Sequence, residues 1–157
     1  MSQSNNSLVL RPARVEELDQ LSDLCLRSKA VWGYDDAFLA ACRAELTIRP
    51  AELSATKVQV AERDGRILGV AQVSVAHDTA HLERLFVDPA SLRSGAGREL
   101  FAWARAEAQS AGACALVIES DPGAAGFYRR MGASDDGVVP SGSIPGRTIP
   151  RLKLSLA

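Results

Sequence analysis

Scarcity narrows the class of this 157-residue chain before any motif is considered. Histidine occurs only at His77 and His81. Four apart, they would face one way on a helix, but their surroundings read as strand and turn and no cysteine lies near, so no metal site is expected. Cysteine is as sparse. Cys25, Cys42 and Cys114 are odd in number, widely spaced and set among apolar residues, which excludes a disulfide framework and a CxxC site and points to buried thiols in a reducing cytosol. Charge of one sign is lacking too: the formal net charge is −1. There is no basic field to hold a nucleic-acid backbone or an anionic membrane. No apolar run approaches the roughly 18 residues that span a bilayer, and residues 1–7 (MSQSNNS) lack the apolar core of a secretory signal. The expectation is a cytoplasmic protein with a disordered tail over 1–7.

What is present suits one globular domain over residues 8–157: 46% of the chain is hydrophobic and 24% charged, enough for a real core. Leu8 to Arg11 reads as a short strand stopped by Pro12. Val15 to Ala30 carries apolar residues at 15, 18, 21, 24 and 25, a helical stripe. After a loop with Trp32, Gly33 and Tyr34, Asp35 or Asp36 can cap a second helix from about Ala37 to Leu46, ending before Pro50. Lys57 to Arg63 alternates, Asp64-Gly65 signals a tight hairpin, and Arg66 to Ala76 resumes with β-branched residues. Ala80 to Val87 is a further strand. A helix from Gly95 to about Ala111 precedes the nearly continuous apolar run Ala113 to Glu119, as expected of a strand buried on both faces. Asp121-Pro122 caps a short helix through Arg130. The Gly/Ser/Pro-rich remainder reads as loop up to Pro150, then a last strand, Arg151 to Leu156. The order predicts a mixed α/β sandwich with no internal repeat.

Chemistry concentrates in Leu85 to Leu100, LFVDPASLRSGAGREL, where a strand leads through a glycine-rich loop straight into a helix. Gly95 and Gly97 permit close backbone approach, the unpaired first-turn amides of the helix point toward any anion, and Arg93 and Arg98 add positive charge. The loop lacks the Lys-Ser/Thr of a nucleotide P-loop and the third glycine of a dinucleotide fingerprint. Small residues also serve helix packing, so the loop alone does not decide. Downstream stands Asp121-Pro122-Gly123-Ala124-Ala125-Gly126-Phe127-Tyr128-Arg129-Arg130-Met131-Gly132.

Together the two segments resemble the acetyl-CoA motifs of the GNAT (GCN5-related) N-acetyltransferases, the second matching Asn-x-x-Ala-x-x-Phe-Tyr-x-x-x-Gly. Order and separation agree, and with the element order the resemblance runs from about Leu8 to Leu156. Two positions depart from it: Leu92 stands where the glycine loop usually opens with Gln or Arg, Arg93 coming one residue later, and Asp121 replaces the Asn. An ionised Asp121 can cap the helix but cannot donate a side-chain hydrogen bond.

The resemblance implies a mostly antiparallel central sheet flanked by helices, with a parallel pair of strands splayed at the cofactor site. It implies that the backbone of Leu85, Phe86 and Val87 pairs with the pantetheine arm and that Arg93, Ser94, Gly95, Ala96, Gly97 and Arg98 cradle the pyrophosphate. Asp121, Ala124, Phe127 and Tyr128 would lie along the arm. Glu83, beside the cofactor strand, becomes the candidate general base, against a salt bridge or a solvated position; a main-chain N–H of Val87 or Phe86 could stabilise the oxyanion. Tyr128 becomes the candidate acid for the leaving thiolate, against plain aromatic packing. Trp32, Tyr34, Glu83 and Arg147 would shape the acceptor site, Arg147 as a carboxylate receptor or as a solvated loop arginine.

The expected function is transfer of an acetyl group from acetyl-CoA to a primary amine of a small molecule. The alternatives are acetylation of a protein lysine or N-terminus, and a non-catalytic acyl-CoA sensor, against which Glu83 and Tyr128 argue. Relatives of this kind are often dimers, so a homodimer is an expected assembly.

Overall fold

The computed structural model describes residues 7–156. Apart from the exposed Ser7, the expected tail therefore lies outside the described residues. Strand β1 (Val9–Pro12) leads through a 3-10 turn at Val15–Glu17 into helix α1 (Leu18–Ala30), then α2 (Asp36–Leu46) and α3 (Pro50–Ala55). Strands β2 (Lys57–Arg63), β3 (Arg66–Ala76) and β4 (Thr79–Val87) follow. Next come α4 (Ala96–Ser110), β5 (Ala115–Glu119), a 3-10 turn at Pro122–Ala124 with α5 (Ala125–Arg130), and strands β6 (Ser134–Pro140) and β7 (Thr148–Ser155). The seven strands form one sheet in the order β1-β2-β3-β4-β5-β7-β6. Every neighbouring pair is antiparallel except β4 and β5, the expected parallel pair.

Alternation assigns the strand residues to two layers. Val58, Val60, Ile67 and Val70 pack with Leu21, Leu24, Cys25, Cys42 and Leu46 of α1 and α2. On the other face, Ala61, Leu68 and Ala71 meet Ala96 and Leu100, and Val73, Leu82, Leu116 and Ile118 meet Phe101, Ala104 and Tyr128. The interior strand β5 is buried on both faces, as its apolar run predicts: Leu116, Val117 and Ile118 are at most 2% exposed.

Two elements differ from the sequence-based reading. Pro50, taken only as the end of the second helix, occupies the first turn of α3, where its missing N–H costs nothing, and the Glu52 side chain accepts from the Arg49 amide at 2.6 Å. Residues 134–140, taken as loop, form β6, an edge strand paired only with β7 and interrupted between Asp135 and Val138. Its residues are mostly exposed on both sides, so no alternating pattern marks it. The thiols also need a correction. Cys25 and Cys42 are buried, but Cys114, just after the Gly112 turn, is exposed.

A candidate active site where two parallel strands part

Strand β4 carries an irregularity at the point that matters. Gln72 of β3 lies opposite Arg84, but Val73 lies opposite Leu82, so Glu83 is an extra residue, a β-bulge. The bulge turns Glu83 and Arg84 to the face shared with Gln72 and Ser74: Glu83 accepts from the Ser74 hydroxyl at 2.5 Å, and Arg84 Nε donates to Gln72 Oε1. Pairing of β4 with β5 runs from Thr79–Ala115 to Leu82–Ile118 and stops there. From Glu83 to Val87, β4 therefore turns an edge without a strand partner toward a cleft, while β5 ends at Glu119 and the chain leaves through Asp121-Pro122.

The cleft is a cavity of about 460 Å3. Its central wall is Leu85, Phe86, Ile118, Ala124, Phe127 and Tyr128. At one end are Val87, Leu92, Gly95, Gly97, Arg98 and Arg130; at the other are Lys29, Glu45, Glu83, Arg84, Ser143 and Arg147.

The glycine loop is held by its own side chains. The Ser94 hydroxyl donates to Ser91 O (2.7 Å) and accepts from the Ala96 amide (3.2 Å), and Arg63 Nη2 donates to Ser94 O (3.4 Å). Gly95 then adopts φ +87°, the left-handed region that glycine alone enters without strain, and turns the chain into α4. Among the described residues the amides of Gly97 and Arg98 have no protein acceptor, so the fifteen-residue helix opens on free donors at its positive end. A Cβ placed on Gly97 would stand 3.5 Å from Val87 Cγ2 and 3.7 Å from the Phe127 ring, inside the cradle. Of the residues expected around a pyrophosphate, Arg93 is exposed and off the cavity wall, and the Ala96 methyl is buried in the core. The Ser94 and Ala96 amides are already bonded within the loop, to Ser91 O (3.1 Å) and to Ser94 Oγ, so neither is a free donor.

Tyr128 has a buried ring, packed against Phe101 and Phe127 with centroids 5.8 and 5.2 Å away. Burial, with the charge of Asp121 adding to it, pushes its phenol well above the ordinary value. It lines the cavity, and no group among the described residues hydrogen-bonds its hydroxyl.

Asp121 caps the following turn, accepting from the Gly123 amide at 3.2 Å. Its carboxylate also pairs with Lys29 Nζ (3.2 Å) and accepts from the Tyr34 hydroxyl (2.9 and 3.0 Å). Tyr34 in turn accepts from Arg147 Nη2 (2.8 Å) and stacks on Phe38, centroids 4.0 Å apart. Trp32 lies against Gly123 so closely that a Cβ there would stand 2.7 Å from its ring. Thus Trp32 and Arg147 line the cavity wall, Tyr34 holds Arg147 from behind, and Asp35 is the N-cap of α2, accepting from Phe38 N at 2.8 Å.

Sequence reasoning missed Lys29, Glu45 and Arg84. Arg84 is held three ways, its Nη1 reaching Glu45 O and its Nη2 the Glu52 carboxylate, each at 3.2 Å. Glu45 accepts from the Ser143 hydroxyl and so meets the β6–β7 loop. None of the three belongs to a local pattern. Among the described residues no three His, Cys, Asp or Glu gather to hold a metal ion, and no helix is long and apolar enough to cross a membrane.

Known proteins of this architecture carry the same plan. A GCN5-related N-acetyltransferase from Rhodopseudomonas palustris superimposes with a TM-score of 0.79 at 21% identity, over 94% of this chain and 95% of that one. PaiA N-acetyltransferase from Thermoplasma acidophilum, in complex with coenzyme A, gives 0.76 at 16% identity, over 95% and 99%. YncA from Salmonella typhimurium, with its cofactor acetyl-CoA, gives 0.66 at 22% identity, over 97% and 95%. Among curated proteins none matches the sequence significantly. The family model described as an acetyltransferase (GNAT) domain matches residues 21–137, which include the bulge, the parting of β4 and β5, the glycine loop and α5, and the chain belongs to that family.

Proposed function

We propose that the protein is an N-acetyltransferase that moves an acetyl group from acetyl-CoA to the primary amine of a small molecule. The observation that carries this reading is the edge of β4 from Glu83 to Val87 that β5 leaves unpaired, opening directly onto the free amides that begin α4. An amide-bearing pantetheine arm can add to that edge as a strand would. Its pyrophosphate would meet the Gly97 and Arg98 amides and the guanidiniums of Arg98 and Arg130. The residues fit the donor: the cradle lacks a side chain where Gly97 stands, and the apolar wall suits the uncharged arm.

Acetyl-CoA, when bound, supplies a thioester carbonyl open to attack by an amine. The chain's own groups then have distinct tasks. Glu83, exposed at the bulge beside the unpaired edge, takes the proton of the incoming ammonium. Tyr128 keeps its proton at neutral pH and offers the O–H to the departing sulfur. A main-chain N–H of Phe86 or Val87, in the stretch of β4 that β5 no longer pairs, is the candidate donor to the thioester oxygen.

Titration calorimetry tests the reading. CoA and acetyl-CoA are expected to bind with micromolar-range affinity, and ATP and NAD far more weakly, because the loop has neither a P-loop lysine nor a dinucleotide fingerprint. Comparable affinity for ATP would remove the basis of the assignment.

A further inference from the structure

Resting on the acetyl-transfer reading, we infer that the amine accepted by this site also carries a carboxylate, bound by Arg147, so that the acceptor is an amino acid rather than a plain amine.

The inference begins with a charge balance. Lys29, Asp121, Tyr34 and Arg147 form one connected chain at the acceptor end of the cavity. Lys29 and Asp121 cancel, both side chains being at most 14% exposed. The Tyr34 phenol stays neutral, since burial and its bond to Asp121 both hold its proton. One positive charge is left, on Arg147. Of the remaining carboxylates on the wall, Glu45 is bonded to Ser143 and Glu83 to Ser74, and neither they nor Glu119 pairs with Arg147.

A solvated loop arginine would not be fixed as this one is. Nη2 donates to the Tyr34 hydroxyl, and the guanidinium carbon lies 4.9 Å from the Phe38 ring centroid and 5.3 Å from that of Tyr34. The side chain is half-buried, and Nε and Nη1 have no acceptor among the described residues. A fork held by one arm, with donors free and no counter-ion, has lost much of its rotamer freedom before any ligand arrives. A carboxylate is the group whose two oxygens match such a fork.

Glu83, Glu45 and Glu119 lie on the same wall and have no cationic partner. They suit the ammonium half of the same molecule, Glu83 being the one beside the parted strands. An amine without an acid group would leave Arg147 uncompensated. An acid without an amine would leave the glutamates so.

The test is thiol release from acetyl-CoA with α- and ω-amino acids, each beside the amine that lacks its carboxylate. The wild-type protein should use at least one amino acid with a kcat/KM about tenfold or more above that of its matched amine. Arg147→Gln should raise the amino-acid KM about 10- to 100-fold, the range carried by a charge-assisted pair, with the acetyl-CoA KM unchanged and the advantage over the matched amine lost. Arg147→Lys should keep part of that advantage. Tyr34→Phe, which frees Arg147 without removing it, should raise the KM with kcat little changed. Failure to use any amino acid, preference for the carboxylate-free partner, or undiminished discrimination in Arg147→Gln overturns the inference. Absence of acetyl-CoA binding to the wild-type protein in calorimetry strikes the acetyl-transfer reading itself, and is separable from all three.

Discussion

Two residues of the proposed chemistry differ sharply in surroundings. Glu83 is exposed, projected by the bulge, and bonded only to Ser74, whereas Tyr128 is buried and lacks a partner for its hydroxyl. Loss of a positioned acid or base costs roughly 10² to 10⁴ in rate. Glu83→Gln and Tyr128→Phe are therefore expected to lower kcat by such factors and leave the acetyl-CoA dissociation constant near its original value. The Glu83→Gln deficit should shrink toward pH 10, where an amine is increasingly neutral without help; the ratio of wild-type to variant kcat across a pH series checks this. A constant ratio would mean that another group removes the proton. Both residues were legible in the sequence only by resemblance, Glu83 by its place on the cofactor strand and Tyr128 by the Phe-Tyr pair. Neither the bulge that exposes one nor the packing that buries the other leaves a local mark.

Among the elements, the turn into α4 assigns different tasks to its two glycines. Gly95 is required for its backbone angle: at φ +87° any side chain is strained, although nothing lies within 4 Å of a Cβ there. Gly97 has ordinary helical geometry and is required for the room it leaves. Gly95→Ala should thus destabilise the fold by about 1–2 kcal/mol, the cost of a left-handed L-residue. Gly97→Ala should leave the unfolding midpoint nearly unchanged while weakening CoA binding. Chemical denaturation and calorimetry on the same two variants separate the effects, and equal losses of stability would contradict the division. This element was readable in sequence because glycine, helix cap and apolar stripe are all local signals. The hairpin of β2 and β3 was readable to the residue for the same reason, Asp64-Gly65 fixing its turn. β6 was not, because an edge strand exposed on both sides owes its form to β7 rather than to its own pattern. The far end of the cavity was legible only in part: Arg147 was expected there, but Lys29, Glu45 and Arg84 come from α1, α2 and β4, and only the folded sheet brings them beside it.

On the scale of the molecule, Arg84 joins layers that the sequence separates by up to 39 residues, binding Gln72 in β3, the Glu45 carbonyl at the end of α2 and Glu52 in α3. Gln72, 1% exposed, depends on it in turn, its amide going to Thr56 at 2.9 Å. Arg84→Met would keep the packing of the stem but leave Gln72 Oε1 and the Glu45 carbonyl without their donors. Removing one partner of such a buried charge network costs about 3 kcal/mol, the lower end of the usual range because Glu52 is 30% exposed and water can reach it. At roughly 2–4 °C per kcal/mol for a domain of this size, the unfolding midpoint should fall by about 6–12 °C. Acetyl-CoA at one hundred times its dissociation constant stabilises any folded form that binds it by about 2.7 kcal/mol, which would restore about 5–11 °C. Because Arg84 lies on the opposite face of β4 from the glycine cradle, that increment should be the same size in wild type and variant when both are measured at the same acetyl-CoA concentration. Thermal unfolding with and without the ligand reads both quantities at once. An Arg84→Met midpoint within 2 °C of wild type would refute the structural role, and a calorimetric loss of acetyl-CoA affinity in a folded variant would show instead that Arg84 shapes the cofactor edge of β4 directly.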